Sequence, residues 1–139
     1  FQLPKKKKSK DFEAFFLFNE AFYIFSKEKE EFLILKVPIV AGTHEAKVHS
    51  NYNFKGKNNK ITSADISEDG KSVVLLNHDK LWKLSGFEAD DFFSGQIKSK
   101  AFDHYSQKEG ICFGVKNKVL ITDERKGGEG GNIYSFNYN

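Results

Sequence analysis

The sequence has no methionine, one cysteine, two prolines, one tryptophan and a single arginine among its 139 residues. One cysteine (Cys112) permits no intrachain disulfide and no CxxC metal site. It sits in Gly110-Ile111-Cys112-Phe113, an apolar run, and is read as a small buried hydrophobe. No apolar run approaches the roughly 20 residues of a membrane span. The N-terminal residues lack the pattern of a signal peptide. Because the chain opens on Phe1 without Met, its start is read as a processed or cut end. Arg125 is the one arginine among 22 basic residues, whereas nucleic-acid interfaces favour the bidentate arginine fork. Five lysines (Lys5, Lys6, Lys7, Lys8 and Lys10) lie in the first ten residues, so the remainder is slightly acidic despite a net charge of +3. That balance argues against a nucleic-acid binder and makes the lysine run a solvated segment.

Aromatic residues are abundant: 15 Phe and 5 Tyr, within a chain that is 39% hydrophobic. That suffices for a folded core. The apolar residues fall in runs of about six, with turn-length polar gaps between them. Examples are Glu13 to Phe18, Ala21 to Ser26 and Glu31 to Val37, then a weaker alternation from Glu45 to Phe54. The runs lack a helical 3.6-residue period and are rich in aromatic and β-branched residues, so they predict antiparallel strands in a meander. The same pattern returns as Ile61 to Ser67, Ser72 to Asn77, Lys80 to Ser85 and Gln96 to Phe102. It returns again as Glu109 to Phe113, Val119 to Asp123 and Asn132 to Tyr138, without a fourth strand. Glu68-Asp69-Gly70-Lys71 predicts a tight turn, and the loop Glu88 to Gly95 has room for one helical turn.

The openings Glu13-Ala14-Phe15, Ala64-Asp65-Ile66 and Glu109-Gly110-Ile111 recur about every 45 to 50 residues, the period of four-stranded propeller blades. The expected fold is all-β: about three four-stranded antiparallel β-propeller blades. Residues 1–10 form the end of a preceding strand plus a linker, 11–54 one blade, 55–102 a second and 103–139 an incomplete last blade. Three blades do not close a ring. The chain is therefore expected to be part of a larger propeller, or completed by a protein partner or a second copy. Alone it is expected to aggregate or dimerise.

Asp65-Ile66-Ser67-Glu68-Asp69-Gly70-Lys71 resembles the D-I-S-x-D-G-K hairpin of propeller blades. Glu109-Gly110-Ile111, followed by Val119-Leu120-Ile121-Thr122-Asp123-Glu124, resembles a blade opening. Together they are similar to secreted bacterial propellers of the esterase-like phytase, YncE-like and SMP-30/NHL-like groups, from Asp11 onward. That resemblance implies a periplasmic, secreted or cell-surface protein.

First strands of propeller blades line the central channel, so Glu13, Asp65 and Glu109 would face one axis. Converging carboxylates suit Ca²⁺. Lactonase-like propellers resemble this arrangement with a Glu in an E-G-P opening; here Ile111 stands in place of that proline. The alternative is that these side chains bind backbone amides of a neighbouring blade. His44, His49, His78 and His104 show no HxH or HExxH spacing and are read as surface residues. No G-x-S-x-G elbow occurs. Gly127-Gly128-Glu129-Gly130-Gly131 lacks the Lys-Ser/Thr of a phosphate loop and reads as a hairpin loop. Phe87, Phe92 and Phe93 lie in a loop beside Asp90 and Asp91, where they would either bind a partner or cap the sheet edge. The expected function is a non-enzymatic binding or scaffold protein of the bacterial cell envelope. Its rival is a calcium-dependent hydrolase of phosphate esters or lactones, with Glu13, Asp65 and Glu109 as ligands.

Overall fold

A computed structural model describes residues 1–4 and 10–139; Lys5 to Lys8 lie outside the described residues. The described chain is all-β, with three antiparallel sheets of four, four and three strands. It divides into two compact units, Phe1–Ile61 and Thr62–Asn139. No helix among the described residues is long and apolar enough to cross a membrane.

The first unit holds one sheet in the order β1 (Phe12–Phe18), β2 (Ala21–Ser26), β3 (Phe32–Pro38), β4 (Lys47–Tyr52). Asn19 and Glu20 both take positive φ (46° and 62°), and Phe18 pairs with Ala21. This is the two-residue hairpin whose twist matches that of the strands. Period-two alternation then sorts the side chains. Phe15, Ile24, Leu35 and Val48 align across one face, while Phe16 and Tyr23 align on the other. Leu35, Val37 and Ala46 form a buried cluster with Leu3, Phe12, Phe22 and Ile24 against it. Phe15 and Leu17 remain 59% and 47% exposed. Gln2 bridges in parallel to Glu45: its N–H donates to the His44 carbonyl, and its own carbonyl accepts from Ala46 N, each at 2.8 Å.

The second unit holds two sheets. One runs β5 (Ser63–Ile66), β6 (Ser72–Leu76), β7 (Lys80–Ser85), β8 (Gln96–Ala101); the other runs β9 (Lys108–Phe113), β10 (Lys118–Asp123), β11 (Ile133–Asn137). The Asp69-Gly70 turn forms as its sequence requires. Gly70 takes φ 70°, its N–H donates to Ser67 O, and Asp69 Oδ1 accepts from the Ser67 hydroxyl and Lys71 N. Val74, Leu76 and Leu81 from the first sheet meet Ile111, Val119 and Ile121 from the second in one buried cluster. Burial of side chains of this size contributes about 1.5–3 kcal/mol each, which makes this cluster the main cohesive element of the unit.

Two expectations are corrected. Cys112 is exposed, because β9 alternates: Ile111 faces the core and Cys112 the opposite side. The loop Glu88 to Gly95 contains no helical turn; two successive turns, Asp91 N to Glu88 O and Ser94 N to Asp91 O, form it instead.

Candidate functional site

The residues expected to open each blade lie on first strands, and each is engaged. In the first unit Glu13 accepts an ion pair from Lys27 at 2.7 Å. In the second, Asp65 receives two backbone N–H groups: Oδ1 accepts from Ile66 N at 2.9 Å and Oδ2 from Phe113 N at 2.8 Å. Glu109 lies 3.3 Å from His78 Nε2, whose Nδ1 is 3.1 Å from the Tyr105 hydroxyl. Among the described residues no three of His, Cys, Asp and Glu gather as a metal-binding group.

The geometry around Asp65 follows from strand register. On β9 the amides of Leu120's and Thr122's partners, Cys112 and Gly110, face β10, so those of Ile111 and Phe113 face away from it. They would be orphaned donors, and β5 caps them with side chains. Ser63 Oγ accepts from Ile111 N at 3.1 Å, and Asp65 Oδ2 takes Phe113 N. Thr62 continues the row by donating its hydroxyl to Lys108 O at 2.7 Å. The i, i+2 spacing of Ser63 and Asp65 matches the i, i+2 spacing of the outward amides. Two sheets are thereby fastened without sharing a backbone ladder. An unsatisfied buried amide costs about 1–3 kcal/mol, so this fastening matters to the unit.

A second cluster lies at the start of β9. Lys108 is 1% exposed. Its ammonium donates to Ser106 Oγ at 2.8 Å, His78 O at 3.1 Å and His104 O at 3.4 Å, and stands 4.7 Å above the Phe102 ring. Burial pushes its pKa down, while Asp123, Asp103 and Asp79 oppose that shift. Burial pushes the Asp123 carboxyl up, yet hydrogen bonds from Asn132 N, the Tyr134 hydroxyl and Ser106 outweigh it and hold the group at about 2. Tyr134 in turn is raised by its hydrogen bond to Asp123 at 2.7 Å. Lys108 thus ties the turn after β6 and the segment 103–107 to β9. Nothing in the sequence singled it out beyond its place immediately before Glu109.

Beside this cluster runs a cleft of about 380 Å³ between the end of β8 and β11, lined by Phe102, Tyr134, Phe136, Lys100 and Lys108 among others. Phe102 and Phe136 meet edge to face at 4.9 Å. Its walls are aromatic, and its charged groups are mixed, with Asp103 beside Lys100 and Lys108.

The loop phenylalanines do not form an exposed patch. Phe92 is 1% exposed and Phe87 stands edge-on to it at 5.3 Å, with Phe93 half-buried. A residue buried to that degree offers no surface to a partner, so Phe92 packs within its own unit.

No protein-family model, curated protein or solved structure matches the chain.

Proposed function

We propose that the chain is a non-enzymatic binding scaffold of the bacterial cell envelope, built from β-propeller-like blades. The observation that carries this reading is the use of Asp65. The acidic residue expected to line a channel spends both oxygens on backbone N–H groups, one of them on the adjoining sheet. The sheet order supports it too, since all three sheets are up-and-down meanders and two of them stack face to face through β5, β6 and β9. A rigid stack of blades presents loops and strand edges to partners without requiring a reaction.

The competing reading is a calcium-dependent hydrolase using Glu13, Asp65 and Glu109. Incubation of the full chain with Ca²⁺ and either p-nitrophenyl phosphate or a simple lactone separates the two. The scaffold reading predicts no turnover above the uncatalysed rate. Turnover that disappears in Glu109→Gln would replace it with the hydrolase.

A further inference from the structure

Buried Lys108 holds two connecting segments of the second unit, and these carry a hydrogen-bonded chain of side chains. Its ammonium donates to the His78 carbonyl, in the turn between β6 and β7, and to Ser106 Oγ, in the segment between β8 and β9. Phe102 N adds a bond to Asp79 O at 2.8 Å. Both segments are thereby fixed against the start of β9, where Glu109 lies. Across them His78 Nε2 is 3.3 Å from Glu109 Oε1, and His78 Nδ1 is 3.1 Å from the Tyr105 hydroxyl. We propose that Tyr105 is a nucleophile that takes an acyl group from an activated ester, with His78 as its general base and Glu109 as a positioning residue.

The donor and acceptor roles follow from the groups themselves. An ionised carboxylate only accepts, so Nε2 carries the imidazole proton. Nδ1 of the neutral ring is then an acceptor, and the phenol donates to it. A hydroxyl within hydrogen-bond reach of a base, with a third group orienting that base, is the arrangement that activates a nucleophile. Tyr105 is 69% exposed, and it alone of the five tyrosines is exposed, so an ester can reach it. In the transfer the phenolic oxygen bonds to the acyl carbon as the bond from that carbon to the leaving oxygen breaks. The phenolic proton passes to Nδ1 and from there to the leaving group. The products are an ester of Tyr105 and a free alcohol or phenol, with no redox partner.

The donor's charge follows from the adjoining cavity. Tyr105 lines a space of about 290 Å³ that Glu124, Lys126, Glu129 and Gly130 also line. Gly127 and Gly128 take φ of 62° and 87°, and Lys126 and Glu129 exchange backbone bonds at 2.7 and 3.1 Å. Their side chains therefore share one face of a tight hairpin. Gly130 lets that hairpin close on Glu124, whose carbonyl a Cβ would strike. Glu124, Lys126 and Glu129 have no ion-pair partner among the described residues. Two carboxylates against one ammonium leave these walls at −2 + 1 = −1. They repel a phosphate or a carboxylate-bearing donor and suit a neutral or ammonium-bearing acyl group.

The full chain is exposed briefly, in EDTA, to p-nitrophenyl acetate with N-acetyltyrosinamide as competitor, and the Tyr105 adduct is measured by peptide mass. The competitor corrects for exposure, since its phenol is fully open. The account expects Tyr105 to react at least about tenfold faster than the competitor. His78→Phe keeps a ring against Tyr105 but no base, and should bring the rate down to the competitor's or below. Glu109→Asp, which keeps the carboxylate, should retain more of the advantage than Glu109→Gln, which keeps the size. At low salt, glycine p-nitrophenyl ester should be favoured over mono-p-nitrophenyl succinate by at least about threefold, each relative to the competitor. Reaction of Tyr105 no faster than the competitor, a wild-type rate in His78→Phe with an unchanged melt, preference for the succinate, or a label on His78 that survives Tyr105→Phe would each overturn the proposal. The proposal stands apart from the scaffold reading, because one acyl group taken per chain needs neither turnover nor a cation. Continued p-nitrophenol release that Tyr105→Phe abolishes would uphold Tyr105 and remove the non-enzymatic reading, so the two are told apart.

Discussion

Asp65 and Asp123 are both carboxylates at which hydrogen bonds decide the outcome. Asp65→Ala leaves Phe113 N without its acceptor at the join between two sheets. The expected loss is about 1–3 kcal/mol of stability, read from denaturant melts, with faster hydrogen exchange at Phe113 than at Cys112. Asp123 is held at about 2 against an ordinary value of 3.8. Its native pKa lies below the unfolded one, so its contribution is complete above pH 3.8 and is lost as pH falls through about 2. The melting temperature should decline through that window, and Asp123→Asn should flatten this part of the profile. An unchanged profile would remove Asp123 from the account. The roles of both residues were only half visible in the sequence. The i, i+2 pair Ser63 and Asp65 is readable as strand spacing, but which amides lack partners depends on register between β9 and β10. The reading of Cys112 failed for a related reason. An apolar run on a strand has two faces, and composition alone does not say which residue faces in.

At the scale of elements the strands were largely legible. Their runs are aromatic and β-branched, their gaps carry turn residues, and the four-four-three count follows the repeat. The segment Gly86 to Gly95 was less so, because its turns depend on tertiary contact as well as propensity. Gly95 shows why. A Cβ there would collide with the backbone carbonyl of Ser85, and backbone cannot yield as a flexible side chain does. Gly95→Ala should therefore lower stability by about 1–3 kcal/mol, whereas Gly86→Ala, which meets open space but a φ of 66°, should cost less. Equal melting temperatures for Gly95→Ala and wild type would show that β7 and the start of β8 are not so closely held. The cleft beside β11 could not be read from sequence at all. Phe102, Tyr134 and Phe136 belong to different strands and segments, and only the stacking of two sheets brings their rings together.

For the molecule as a whole, the first unit leaves Phe15 and Leu17 largely exposed on the face that also carries Ile24 and Val48. Leu35, between Ile24 and Val48 on that face, is fully buried, so the exposed apolar surface is that of Phe15 and Leu17 side by side on β1, and such surface marks association sites. The isolated chain should self-associate, and Phe15→Glu with Leu17→Lys should shift its sedimentation toward monomer without unfolding it. A wild-type monomer at high concentration would contradict this. The two N–H groups that Asp65 accepts carry the central claim of the proposed scaffold, that this carboxylate is spent on fastening β5 to β9 and not on a cation. Thermal unfolding of the full chain with millimolar Ca²⁺ against EDTA tests this most directly. The account predicts superimposable curves. A melting temperature raised by Ca²⁺ in wild type, with the rise abolished in Asp65→Asn or Glu109→Gln, would contradict it.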